Sequence, residues 1–291
     1  MANHKGHLRN LWFSPLILVA ILTVSAAVSF PLTLVFQDRP ARGSLTPRQL
    51  EIEHQRLRLS SAEVEERRDA VTRLASMQHP DASRTAVSAL KDPLAIVRAT
   101  AATAILSLPP EESAAYLLPL LGDKDEFVRR EAAYALGKTR SRAAVPLLIE
   151  RLLADKKSEV RGAAAVALGQ IGDPTAVSSL SAILSPQFAM AASKKNKKSK
   201  REENPFVLRA AARSLGQIGS NTGSPVLIVV LLDEKALDDV KREAAWALGM
   251  IGDPSALPAL RNALTARDPY LSEAAHEAIR KITSLQTNRG A

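Results

Sequence analysis

The chain has 291 residues, carries 39 Lys and Arg against 30 Asp and Glu for a net charge of +9, and is 46% hydrophobic but only 4% aromatic. It has no cysteine, which excludes disulfides, thiolate metal sites and cysteine nucleophiles. A composition rich in Ala and Leu and poor in aromatics favours close-packed helices, because small side chains let helix axes approach and lose little entropy in a helix.

Residues 1–10 form an N-terminal tail with two cations, Lys5 and Arg9, and residues 11–36, "LWFSPLILVAILTVSAAVSFPLTLVF", carry no charge. A helix rises about 1.5 Å per residue, so roughly 20 apolar residues span a hydrocarbon core. The run is long enough, and it predicts a transmembrane helix or signal anchor. The competing reading is a cleaved signal peptide, with small residues at Ser25, Ala26 and Ala27. Lys5 and Arg9 before the span face Arg39, Arg42 and Arg48 after it, so the positive-inside rule separates the orientations weakly. A short tail kept inside is the simpler insertion. The reading is therefore a single-pass protein of the cell membrane, with a lean toward an extracytoplasmic repeat domain. Residues 37–45 form a polar linker, after which Thr46 offers an N-cap and Pro47 a first helical residue.

From Thr46 onward the chain repeats itself. Copies begin "RRDAVTRLASM" at Arg67, "VRATAATAILSL" at Val97, "VRREAAYALGKT" at Val128 and "VRGAAAVALGQI" at Val160; they continue with "VLRAAARSLGQI" at Val207, "VKREAAWALGMI" at Val240 and "LSEAAHEAIRKI" at Leu271. The equivalent residues Leu74, Ile105, Leu136, Leu168, Leu215, Leu248 and Ile279 are spaced 31, 31, 32, 47, 33 and 31 apart. A sustained period of this length marks a solenoid. The long interval is one period plus an insertion. Within a copy, Val160, Ala163, Ala164, Ala167, Leu168 and Ile171 share one helical stripe, and a shorter helix such as "RAAVPLLIERLL" precedes it. The fold expected is an all-α solenoid of about seven helix pairs over residues 46–284, with a tail at 285–291.

The octets "ALGQIGDP" and "ALGMIGDP" could suggest a phosphate loop, but no strand precedes them and no Lys-Ser/Thr pair follows. They read better as helix punctuation. Gly172 and Gly252 close one helix in the left-handed conformation, and Asp173 and Asp253 cap the next, with proline behind them. The pattern V-R-x-x-A-A-x-A-L-G-x-I-G-D-P resembles the HEAT repeat, in the short form of the phycobilisome-lyase HEAT-like family. That resemblance implies a stack of helix pairs with an extended concave face that grips a macromolecule. It also brings two enzymatic relatives into view, bilin lyases and deoxyhypusine hydroxylase, whose di-iron centre lies among His-Glu pairs. Here only His276-Glu277 matches that dipeptide, too little for a di-iron site, and no feature favours a lyase.

Two charged features stand out. Arg98, Arg129, Arg161 and Lys241 start successive second helices, and Asp92, Asp123 and Asp155 precede the three arginines by six residues each. This predicts a structural Asp–Arg ladder along one edge, each arginine with its own aspartate. The second feature is an insertion at about 186–204, with Lys194, Lys195, Lys197, Lys198, Lys200 and Arg201 inside eight positions. Charge this dense predicts a disordered excursion, and it is the candidate contact for anionic lipid or nucleic acid. No aromatic interleaves with the lysines, so nucleic acid is the weaker option. Tyr134 and Trp246 share one repeat position, also held by Val166 and Arg213, at the rim of the helix interface.

No cofactor, metal or catalytic constellation is expected. The function read from the sequence is a membrane-anchored, non-catalytic scaffold or assembly factor that binds a protein partner. The alternatives are an enzyme of the HEAT-like lyase or hydroxylase (oxidoreductase) type, and a binder of anionic lipid or nucleic acid through the polylysine insertion.

Overall fold

The computed structural model describes residues 45–185 and 203–290. The apolar run at 11–36 and the basic cluster Lys194–Arg201 lie outside the described residues. Among the described residues no helix is long and apolar enough to cross a membrane, and no strand occurs.

Among the described residues, fourteen α-helices follow one another as seven pairs. The first pair is α1 (Pro47–Arg58) with α2 (Val64–Ser76), and the second is α3 (Pro80–Ala86) with α4 (Ala95–Ala104). Next come α5 (Pro110–Leu117) with α6 (Glu126–Thr139), then α7 (Val145–Ala154) with α8 (Ser158–Ile171). The last three are α9 (Val177–Leu184) with α10 (Pro205–Ile218), α11 (Ser224–Leu232) with α12 (Asp238–Ile251), and α13 (Leu257–Ala263) with α14 (Pro269–Gly290). The final helix runs on past residue 284, where the repeat pattern ends.

Second helices stack on one another in order: α2 on α4, α4 on α6, and so on to α12 on α14. Their alanine stripe permits this. Val160, Ala163, Ala164, Ala167 and Leu168 of α8 are fully buried, while Ile171 at the end of the stripe is only half-buried. One continuous core of Leu, Val, Ile and Ala threads the stack. Glycine sharpens the fit where backbones meet. A Cβ on Gly216 would lie 2.7 Å from the Cα of Ala247 in the next unit, a distance that no side chain accommodates.

The start and stop signals act as the sequence implies. Thr46 and Gln49 form a reciprocal capping box around Pro47. Gly172 and Gly252 end their helices at φ 73° and 77°. Asp173 accepts from the backbone N–H of Thr175, and Asp253 from that of Ser255. Each caps a single 3-10 turn that leads into the following α-helix, so the first helices start one turn later than the proline suggests. Arg140 does the work of glycine after α6, with φ 54°.

Candidate functional site

The ladder forms, but it is wired differently from the pairing by nearest aspartate. Each arginine reaches forward to the aspartate of the next unit. Arg98 donates from Nε and Nη2 to the two carboxylate oxygens of Asp123, both at 2.8 Å. Toward Asp92 it offers only Nη1, which donates to the backbone carbonyls of Asp92 and Pro93 at 2.8 and 3.1 Å. Arg129 repeats this with Asp155 at 2.8 and 3.0 Å, and its Nη1 donates to the carbonyl of Asp123. Asp92 is claimed by Arg67, at 2.7 and 3.1 Å, and the Nη1 of Arg67 donates to the carbonyls of Ser61 and Ala62. Asp155 directly follows α7, and Asp92 and Asp123 follow the 3-10 turns Val87–Lys91 and Leu118–Gly122 that extend α3 and α5; in each, Oδ1 also accepts the N–H two residues on, at Leu94, Asp125 and Lys157.

One guanidinium thus ties its own inter-helix turn to the turn of the next unit. The geometry is bidentate and buried, the form in which an arginine–carboxylate pair is strongest. Burial pushes the Asp155 carboxyl up, but hydrogen bonds from Arg129 and the Lys157 N–H outweigh it and the pKa is lowered; Asp92 and Asp123 follow the same balance with their own arginines.

Sequence reasoning missed Arg67 because no valine precedes it. Its spacing to Leu74 equals that of Arg98 to Ile105, and this was the available signal. Also missed was Glu203. Arg161 has the carbonyl of Asp155 at 2.9 Å, but no aspartate of the next unit. Its Nη2 donates instead to Glu203 at 2.6 Å, and its Nε is buried without a partner. Glu203 and Asn204, the last two residues of the expected insertion, belong to the fold: Asn204 caps α10 by accepting from the N–H of Phe206.

Beyond this point the ladder stops. Leu208 stands where the arginine belongs, and Lys241, expected as a rung of the basic ladder, forms no ion pair among the described residues. Asp233 nevertheless keeps the aspartate's place at the end of α11, and its Oδ1 accepts the N–H of Lys235. No basic side chain pairs with it among the described residues. A cleft of about 590 Å³ opens here, lined by Arg161, Glu203, Leu208, Asp233 and Lys235 over an apolar floor that includes Ile183, Leu184 and Val230.

The family described as HEAT repeats matches residues 54–136, 117–191 and 231–287, more than half of the chain. The chain belongs to the HEAT-repeat family. A curated relative, deoxyhypusine hydroxylase of Bos taurus, is 33% identical over 89 residues, which are 31% of this chain and 29% of that protein. The match thus spans less than a third of the relative's length. Among solved structures, Kap121p aligns over 81% of this chain and 29% of its own, with 15% identity and a TM-score of 0.53; this is a likeness of fold alone. The CpcE–CpcF complex of phycocyanin lyase from Nostoc sp. PCC7120 aligns over 86% of this chain and 98% of that one, with 22% identity and a TM-score of 0.48.

In these HEAT repeats the second-helix surface carries arginines stacked on rings. Arg130 lies 4.7 Å from the ring centre of Phe127, and Arg213 and Arg242 lie 5.6 Å from Trp246 and Tyr270. Tyr134 and Trp246 are half-buried, consistent with the rim position read from the sequence. His276 is exposed, and its neighbour Glu277 faces Arg280 and Lys281. Among the described residues no group of three or more His, Cys, Asp or Glu could hold a metal ion.

Proposed function

We propose that the protein is a non-catalytic scaffold or assembly factor whose repeat stack binds another protein, tethered to a membrane through residues 11–36. The observation that supports this most is the surface of α10, α12 and α14. There Arg213 with Trp246 and Arg242 with Tyr270 present flat, amphipathic contact area with fixed charges. Arginine and large aromatics are the side chains that dominate binding energy at protein interfaces. Membrane attachment is supported by the uncharged run of 26 residues at 11–36, long enough to span a bilayer.

A photo-crosslinking residue introduced at Tyr270, 71% exposed, tests the reading in native membranes. The expected result is one dominant protein adduct that is lost in the Arg213→Ala/Trp246→Ala double variant. Adducts that are diffuse and indifferent to that change overturn it. So does stoichiometric, tightly held iron in the purified chain, which would favour a hydroxylase.

A further inference from the structure

Three joints of the stack hold a largely buried guanidinium in one geometry: a fork onto the aspartate that closes the first helix of the next unit, and Nη1 on the carbonyls five and six residues upstream. Among the described residues, the joint between the fifth and sixth pairs keeps the aspartate and lacks the donor. Asp233 occupies the aspartate's place and holds the same bond to the N–H two residues on. The carbonyl of Glu203 bears the sequence relation to Leu208 that those of Ala62, Pro93 and Lys124 bear to their arginines. Leu208 is too short to fill the space, and the cleft of about 590 Å³ is what remains.

We infer that this cleft binds the side chain of an arginine presented by a partner protein, its guanidinium taking the place that Arg67, Arg98 and Arg129 hold at the first three joints. The inference rests on the scaffold reading only for the source of the arginine; the site itself is read from the internal repeat. Three arguments select a cation of this shape. Two cations line the cleft: Arg161 is already committed to Glu203 and the carbonyl of Asp155, so its charge is compensated, and Lys235 meets Asp233 through its backbone N–H. Asp233 is half-exposed and its second oxygen has no partner among the described residues, so a ligand can reach it. Leu208, Ile183, Leu184 and Val230 supply an apolar wall for the methylene stem of an arginine. A planar fork matches a carboxylate in two bonds, whereas an ammonium makes a point contact, so arginine is preferred to lysine.

The test uses the full chain and two probes, N-acetyl-arginine-N-methylamide and its lysine counterpart, followed by ligand-observed NMR. The arginine probe should bind saturably, with a Kd on the order of 1 mM for one charge-assisted fork, and more tightly than the lysine probe. Asp233→Asn and Leu208→Arg should each weaken binding about tenfold or more. Leu208→Arg should also raise the denaturation midpoint by completing the rung from within, and the gain should vanish in Leu208→Arg/Asp233→Asn. Several results overturn the inference: no binding to the wild type, equal binding of both probes, binding indifferent to Asp233→Asn, or a Leu208→Arg chain no more stable than its double variant. A dimer that Leu208→Arg dissociates would make the occupant a second copy, and tighter probe binding in Arg201→Ala would make it this chain's own arginine. Either result overturns the assignment to a partner. Loss of the Tyr270 adduct without loss of probe binding would fail the scaffold reading and leave the site standing.

Discussion

The first four helix pairs and the last three are joined by different physics. From α2 to α8, every second helix begins with an arginine hydrogen-bonded across the joint, buried at Arg67, Arg98 and Arg161 and largely so at Arg129. From α10 onward the arginines lie one position or more along the helix and are more open to solvent. Arg209 meets Asp239 at 2.6 Å with 42% of its side chain open to solvent, and Arg213 makes a bidentate pair with Glu243 at 56%. Arg242 Nε lies 2.9 Å from Asp268 without hydrogen-bond geometry. Close backbone approach through glycine shows the opposite trend. Its position is filled by Ala75 and Leu106 in the first two pairs and by Gly137, Gly169, Gly216 and Gly249 in the middle and later ones. One device fades along the stack while the other takes over. The lesson is that a helix-pair array keeps its period by fixing the joint, and either a directed ion pair or a tight apolar seam can do so.

The largest effect that would break this contrast is at Asp155. Its side chain is 2% exposed and receives Arg129, so Asp155→Ala strands a buried cation and should destabilise the chain by about 3–5 kcal/mol in urea denaturation followed by circular dichroism. The counterpart Arg213→Ala, at an exposed pair, should cost less than about 1 kcal/mol. Equal costs would erase the distinction between the two halves. Next is Gly216→Val, which drives a side chain into the Ala247 backbone and should cost about 1–3 kcal/mol. Gly172→Ala forces an L-residue to φ 73° in open space and should cost about 1 kcal/mol, purely through the backbone. The pH response sharpens the same point. Asp123 is depressed below its ordinary 3.8, so its contribution is complete above that value and disappears as pH falls through the lower folded-state pKa. The stability gap between wild type and Asp123→Asn should therefore be constant from neutral pH down to about 4 and close in stronger acid.

The period, the seven pairs, the N-cap at Thr46 and the left-handed glycines were legible in the sequence because each depends on residues within one unit. The direction of the ladder was not. A spacing of six residues between Asp92 and Arg98 fits an intra-unit pair as well as a forward one, and only the offset of neighbouring units decides that Arg98 reaches Asp123. Glu203 was hidden for a related reason. It stands 42 residues from Arg161, at the end of a charged run that reads as solvated chain. The cleft was invisible too, since it arises from Leu208 failing to be an arginine, and a leucine in an apolar helix raises no signal alone.

The forward reach of each arginine gives the stack a direction in time as well as in space. A chain made from its N-terminus releases Arg98 from the ribosome some 25 residues before Asp123. The first three modules therefore emerge with a cation whose carboxylate belongs to the module that follows, so those joints can close only in the order of translation.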